Sequence, residues 1–299
     1  MTMKHALVTG SSSGIGHAIA SALLDAGWRV TGLDRADAAI SHTAYAHQSV
    51  DLTDSAALTA AAQEHADVNA LVHAAGVLRV GNVGALDHAG GELMWKLQVD
   101  AASRLADVLI PAMAARGSGR VVLIGSRVAA GKAGRSQYAA TKAALIALAK
   151  SWAAEVAARG VTVNVVSPAA TATGMLADPK RASEAPVLPP IGRLIEPAEV
   201  AALVAFLLSA SAAAITGQDI QICGRVVARQ ITNHSPHENH PNPLIHASYQ
   251  IGDSKRLHRL QQDDAEPGRG CHRRRARWQT GDRLRLQFQW PLRSGQPDA

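Results

Sequence analysis

The sequence predicts an α/β domain, a doubly wound parallel sheet over residues 1–224, followed by a disordered tail at residues 225–299. Three observations carry this reading. Short apolar runs alternate with helical patterns along the first 224 residues, as strand–helix–strand units of a parallel sheet do. A glycine-rich turn lies at the first strand–helix junction. The polar residues with chemical uses fall at strand ends, where ligands bind in such sheets.

Residues 6–9 form the first apolar run, which ends in Gly10-Ser11-Ser12-Ser13-Gly14-Ile15-Gly16. A helix follows through Ile19, Leu23 and Leu24 and stops at Gly27. Small residues let the backbone approach a phosphate, and the helix N-terminus offers unpaired N–H groups. The spacing is Gly-x3-Gly-x-Gly, not the Gly-x-Gly-x-x-Gly of the common dinucleotide fingerprint. Context therefore makes Gly10, Ser12, Ser13, Gly14, Ile15 and Gly16 the expected phosphate-side residues.

The second strand, residues 29–33, ends at Asp34. An acid about 20 positions after the glycine loop can bond a ribose 2′-hydroxyl and repel a 2′-phosphate, which argues for NAD over NADP. Arg35 follows and can soften that preference by pairing with a phosphate, so NADP stays open. Residues 50–52 close a third strand, carrying Asp51 and Leu52, and Asp54 reads as a helix N-cap. The fourth strand, residues 70–76, runs into Ala74-Ala75-Gly76. A helical pattern over residues 93–115 contains Gln98. The fifth strand, residues 120–126, ends in the hydroxyl of Ser126. A sixth strand, residues 161–166, leads to Ser167-Pro168. Pro197 opens a further helix in its first turn, and residues 219–223 form the last strand.

Between the fifth and sixth strands lies Ser136-Gln137-Tyr138-Ala139-Ala140-Thr141-Lys142. On a helix Tyr138 and Lys142 stand four apart and share a face. An ammonium beside a phenol favours phenolate and brings a tyrosine pKa from about 10 towards the range of an acid–base catalyst. The spacing alone is common on surface helices; its neighbours give it meaning.

Charge is unevenly spread. Residues 1–224 hold 17 Lys+Arg and 17 Asp+Glu, whereas residues 225–299 hold 13 and 7, which accounts for the whole net charge of +6. The basic balance belongs to the tail and gives no reason for the body to bind nucleic acid. Cys223 and Cys271 provide no disulfide framework, which suggests a reducing compartment. No apolar run approaches the roughly 20 residues that span a bilayer. A cytoplasmic protein without membrane contact is expected.

Thr9-Gly10-x3-Gly14-x-Gly16, Asp51-Leu52, Ala74-Ala75-Gly76, Ser126, Tyr138-x3-Lys142, Asn164, Pro168 and Thr173, in this order, resemble the short-chain dehydrogenase/reductase family. So do Ile191-Gly192-Arg193, Phe206-Leu207 and Thr216-Gly217-Gln218, and the resemblance covers residues 4–224. It implies a Rossmann-like fold and hydride transfer between a nicotinamide cofactor and a small-molecule carbonyl or alcohol substrate. Tyr138 would be the acid/base, Ser126 would bond the same substrate oxygen, and Lys142 would tune the tyrosine and hold the nicotinamide ribose. Asp51 and Leu52 would lie by the adenine, with Pro168, Thr171 and Thr173 at the nicotinamide end. A homo-oligomer, dimer or tetramer, is expected where the C-terminus permits it.

The chain departs from the family pattern in three places. The asparagine that the family ties through water to its lysine falls on Gln98, counting back from Pro111, with Asp100 as the competitor in another register. The familiar Asn-Asn-Ala-Gly reads His73-Ala74-Ala75-Gly76, where His73 is read as a sheet-end hydrogen-bonder rather than a catalyst. The Pro-Gly after the sixth strand is Pro168-Ala169, which restricts that turn. Substrate choice falls to the loops at residues 78–91 and 175–194. Two rival readings remain: an NADPH-dependent 3-oxoacyl-thioester reductase, and a nucleotide sensor that keeps the fold without turnover.

After Gly224 the resemblance stops. Leu, Ile, Val and Phe make up 12 of the last 75 residues, too few for a packed domain. His234, His237, His240 and His246 suggest a metal site, but Pro236 and Pro241 break any helix that would converge them. The basic run Arg273-Arg274-Arg275-Ala276-Arg277 with Trp278 lacks a folded platform for nucleic acid. The abrupt change of composition is what a shifted reading frame produces, and translation of the gene's other frames past Gly224 tests it.

Overall fold

The computed structural model describes residues 3–177 and 188–224. The readings placed on residues 225–299, and on the middle of the second substrate loop, lie outside the described residues.

Seven parallel strands form one sheet: β1 (His5–Thr9), β2 (Arg29–Asp34), β3 (Tyr45–Ser49), β4 (Ala70–His73), β5 (Gly119–Ile124), β6 (Val161–Pro168) and β7 (Asp219–Ile222). Their order is β3-β2-β1-β4-β5-β6-β7. The chain builds outward from β1 to one edge, then returns to place β4 on its other side. That reversal makes a crevice between the C-terminal ends of β1 and β4.

Alternation along the strands explains the two-sided winding. Leu7, Leu71, Val121, Leu123, Val163 and Val165 face one layer, packed with helices α2 (Ser55–Glu64), α4 (Ala101–Ala115) and α5 (Ser136–Val156). Ala6, Val8, Val30, Val72, Val122, Ile124 and Val166 face the other, covered by α1 (Gly14–Asp25) and α6 (Pro197–Leu208). Both faces of β1, β4 and β5 are therefore largely apolar, as in a sheet buried on both sides. By contrast, β6 alternates its valines with Thr162 and Asn164, whose amide bonds the Ile215 carbonyl and the Gln218 N–H.

The helix starts follow capping chemistry. Asp54 accepts the N–H groups of Ala56 and Ala57 and caps α2, while Glu196 and Glu199 form a capping box with Pro197 in the first turn of α6. Arg193 closes over Glu199 with two hydrogen bonds of 2.7 and 2.8 Å. Among the described residues no helix is long and apolar enough to cross a membrane.

Two expectations need correction. The third strand ends at Ser49, so Asp51 and Leu52 lie in the turn beyond it. Asp51 accepts the N–H and hydroxyl of Thr53, and this turn chemistry ends the strand early. The helix expected over residues 93–115 begins at His88 as α3 (His88–Trp95), passes through a π-helical turn, Lys96–Asp100, and resumes as α4. Helical periodicity cannot distinguish one surplus residue inside a helix from a shift of register.

Candidate active site

The glycine loop follows from three separate steric demands. Gly10 and Gly14 have φ of 70° and 54°, the left-handed region that side chains disfavour. Gly16 is helical, but a Cβ there would sit 2.1 Å from the carbonyl oxygen of Gly10. The loop thus folds back on the start of α1. Ser13 stands at the N-cap of α1 without a side-chain cap bond, and no acid occupies the first turn. A helix start left uncapped and bordered by glycine fits a pyrophosphate, because its N–H groups and positive dipole end remain available.

Asp34 ties this loop to β2. Its carboxylate accepts Ser12 N–H at 3.1 Å and Ala36 N–H at 3.0 Å. Asp51 lies nearby, held below the usual carboxylate range first by Thr53 and to a smaller degree by the charge of Arg35.

At the crevice between β1 and β4, Thr9 acts as a clasp. Its Oγ1 accepts the N–H groups of Ala74 and Ala75 at 3.1 and 3.2 Å. With its acceptor side occupied, the Thr9 hydroxyl donates to His73 Nδ1 at 3.0 Å. The imidazole proton therefore sits on Nε2. That nitrogen is buried without a hydrogen-bond partner, and the backbone of Leu97 and Gln98 in the π turn only partly offsets the lowering of the ring's pKa. Burial foremost, then the charge of Lys142, pushes His73 down to about 3. His73 is neutral at physiological pH and belongs to the sheet-end network.

The chemical end is built by β5 and α5. Ser126 caps the 3-10 turn Arg127–Ala130, its Oγ accepting Val128 N–H at 3.2 Å; its own proton remains for another acceptor. Tyr138 and Lys142 lie buried one turn apart on α5, with Lys142 Nζ 5.7 Å from the Tyr138 ring centroid. Lys142 Nζ donates to the carbonyl of Ile124 at 2.8 Å, which anchors it at the end of β5. Burial pushes its pKa down to about 7, so near neutrality its charge is roughly half present.

One cavity of about 510 Å³ joins these parts. Gly10, Ser13, Gly14, Ile15 and Gly16 border it, as do Asp34, Arg35, Asp51 and Leu52. So do Ala74, Ala75, Gly76, Ser126, Tyr138, Lys142, Pro168, Thr171 and Thr173. Ser12 and Gln98 do not border it. Ser12 turns its hydroxyl to the Ala36 carbonyl at 3.3 Å.

Gln98 is fully buried in the π turn behind the cavity. Its Nε2 donates to Val77 O at 3.1 Å, while its Oε1 lacks a partner and faces Gly76. Asp100 instead pairs with Arg104 at 2.7 Å, so Gln98 is the inward residue of the two. Sequence reasoning missed Arg79, Arg127, Lys132 and Arg135, which also border the cavity. For Arg127, Lys132 and Arg135 the signal was a long stretch, residues 108–154, with cations and no acids; nothing in the sequence marked Arg79.

A bound nicotinamide dinucleotide would supply a hydride here. The loop backbone would hold its phosphates, Asp34 its ribose, and Tyr138, Ser126 and Lys142 would handle a proton and an oxygen beside it.

The model of the family described as enoyl-(acyl carrier protein) reductase matches residues 10–224. The chain is 37% identical over 235 residues to the 3-oxoacyl-[acyl-carrier-protein] reductase FabG of Salmonella typhimurium, covering 74% of this chain and 96% of that one. It is 34% identical over 238 residues to the 2,3-dihydro-2,3-dihydroxybenzoate dehydrogenase of Escherichia coli, with the same shares covered. A solved short chain dehydrogenase/reductase family protein superposes with a TM-score of 0.67 at 35% identity, over 74% of this chain and 96% of the other. An actinorhodin polyketide ketoreductase variant solved with NADPH gives 0.67 at 28% identity, with the same coverage. The chain belongs to the short-chain dehydrogenase/reductase family, and it is an oxidoreductase of that family.

Proposed function

We propose that the protein interconverts an alcohol and a ketone on a small or medium-sized substrate, with NAD as the favoured cofactor. The supporting observation is that Ser126, Tyr138 and Lys142 border the same cavity as the glycine loop and Asp34. Tyr138 exchanges a proton with the substrate oxygen, and Ser126 donates a hydrogen bond to that oxygen as charge develops on it. Lys142 supports the tyrosine and the ribose. Asp34, already oriented by two backbone N–H groups, accepts the ribose 2′-hydroxyl and disfavours a 2′-phosphate.

A second reading, an NADPH-dependent 3-oxoacyl-thioester reductase, draws on two observations. Relatives at 36–37% identity carry the name 3-oxoacyl-[acyl-carrier-protein] reductase, and Arg35 borders the cavity beside Asp34. A cofactor-resolved screen of the full chain on ketones, alcohols and acyl thioesters separates the two. Turnover with NADH on ketones is the expected result. Preference for NADPH with acyl thioesters supports the second reading, and tight NADH binding without turnover on any substrate sinks both.

The working state is a homo-oligomer in a cytoplasmic setting. Half-buried Leu148 and Trp152 beside α4 offer apolar surface for such contact, and sedimentation at micromolar concentration checks it.

A further inference from the structure

Beyond β5 the cavity wall changes sign. Arg79, Arg127, Lys132 and Arg135 border it in addition to Lys142. The bordering acids, Asp34 and Asp51, follow β2 and β3 on the far side of the sheet centre. Three strand steps separate β2 from β5, about 14 Å at the usual spacing. That exceeds the screening length of about 8 Å at physiological salt, so these acids do little to neutralise the basic end.

The local sequence does not neutralise it either. Residues 108–154 contain seven Lys and Arg and no Asp or Glu. Arg79 and Lys132 make further interactions of their own. Among the described residues, no carboxylate lies within ion-pair distance of Arg127 or Arg135.

Arg135 also runs against helix chemistry. It occupies the N-cap of α5 without a capping bond, at the positive end of the dipole, where Ser, Thr, Asp and Asn are preferred. A residue that breaks a local rule without local gain marks a site held for another use. Arg135 lies three positions before Tyr138, and Arg127 directly follows Ser126. The neighbouring wall carries the apolar Val77, Leu78 and Val128, which pack with Met94 and Val80 behind it.

We propose that this end of the cavity binds the carboxylate of an anionic substrate, so that the protein acts on a small keto acid or hydroxy acid. The proposal rests on the oxidoreductase reading above. Arg127 and Arg135 hold the carboxylate through planar guanidinium groups, and the apolar body lies along Leu78 and Val128. In reduction, the carbonyl carbon gains a hydride from the reduced nicotinamide cofactor and the oxygen gains a proton from Tyr138. The products are the hydroxy acid and the oxidised cofactor, and the carboxylate is unchanged.

The test compares kcat/KM for keto acids, their methyl esters and the matching coenzyme A thioesters, using the full chain and reduced cofactor. Arg127→Gln, Arg135→Gln and Arg135→Lys are assayed beside it. The expected acid-to-ester ratio exceeds about tenfold, drops by about tenfold or more in each glutamine variant and is only partly restored by the lysine variant, which keeps the charge but not the planar fork. An ester turned over as well as its acid overturns the proposal. So does a ratio unchanged in both glutamine variants, or a thioester preferred over the acid. If nothing is turned over, the oxidoreductase reading fails, and calorimetric titration of acid against ester into the NADH-loaded chain decides the anion site. Acid-selective binding weakened in Arg127→Gln supports the site, and equal binding overturns it.

Discussion

The two ends of the cavity are made of different material. At the glycine loop the surface is mostly backbone: positive-φ turns, a helix start without a side-chain cap, and a carboxylate that holds the loop rather than projecting far from it. Beyond β5 the surface is side chain: a serine, a tyrosine, a buried lysine and a set of guanidinium groups. A backbone site tolerates little change of shape and carries little information about substrate. A side-chain site can be rewritten residue by residue on the same frame. The contrast suggests that the loop end answers for cofactor and stability, and the β5 end for chemistry and choice.

Variants at the two ends should therefore fail in different ways. The largest effect is expected from Tyr138→Phe, a fall in kcat of about 10²–10⁴-fold with NADH binding retained by fluorescence titration; loss of binding instead would erase the distinction. Gly16→Ala should act at the other end. Its Cβ meets the Gly10 carbonyl, so denaturant unfolding should report a loss of about 1–3 kcal/mol, with a raised KM for cofactor. Asp34→Ala should lower the NADH-to-NADPH ratio of kcat/KM by about tenfold, and Asp34→Asn by less, because it keeps one acceptor for Ser12 or Ala36. An unchanged ratio would remove Asp34 from cofactor choice.

The smallest effect concerns pH. His73 titrates at about 3 in the folded protein against 6.5 as a model group. Between those values the unfolded chain binds more protons, so stability falls as pH drops from 6.5 towards 3. His73→Asn removes this contribution and should make stability less steep in pH through that window, measured by unfolding at several pH values. The same sign holds for Lys142 between about 7 and 10.5: there the unfolded chain binds more protons and stability rises with pH.

How much of this was legible in the sequence follows the same division. The glycine loop could be read because its steric demands are local: Gly10, Gly14 and Gly16 lie within seven residues. The sheet could be read because both faces of β1, β4 and β5 are largely apolar, which yields short apolar runs, and because β6 alternates valine with Thr162 and Asn164. His73 could be read as a sheet-end hydrogen-bonder, but its partner Thr9 could not, because their hydrogen bond joins residues 64 apart. Gln98 was singled out by counting from Pro111, but its bond to Val77 and its place behind the cavity wall depend on the π turn. Asp51 was placed in a strand because its neighbours Val50 and Leu52 are apolar; the strand ends at Ser49 instead, and Asp51 turns to bond Thr53. The basic end was hidden for a plainer reason. Each arginine looks like a surface residue until the fold sets Arg79, Arg127 and Arg135 around one opening.

The π turn also bears on how the chain tolerates changes of length. Its signature bond runs from Ala101 N–H back to Lys96 O, spanning one residue more than an α-helical bond. The turn holds a surplus position between two α-helical segments. Removal of one residue there can be absorbed by rewinding five residues. Removal of one residue from α4 would instead rotate part of the buried stripe of Ala102, Leu105, Ala106, Leu109 and Met113 by about 100° relative to the rest. The helix behind the candidate site thus carries its own slack, placed where Gln98 looks towards Gly76 and where a residue could be lost without turning the buried stripe of α4.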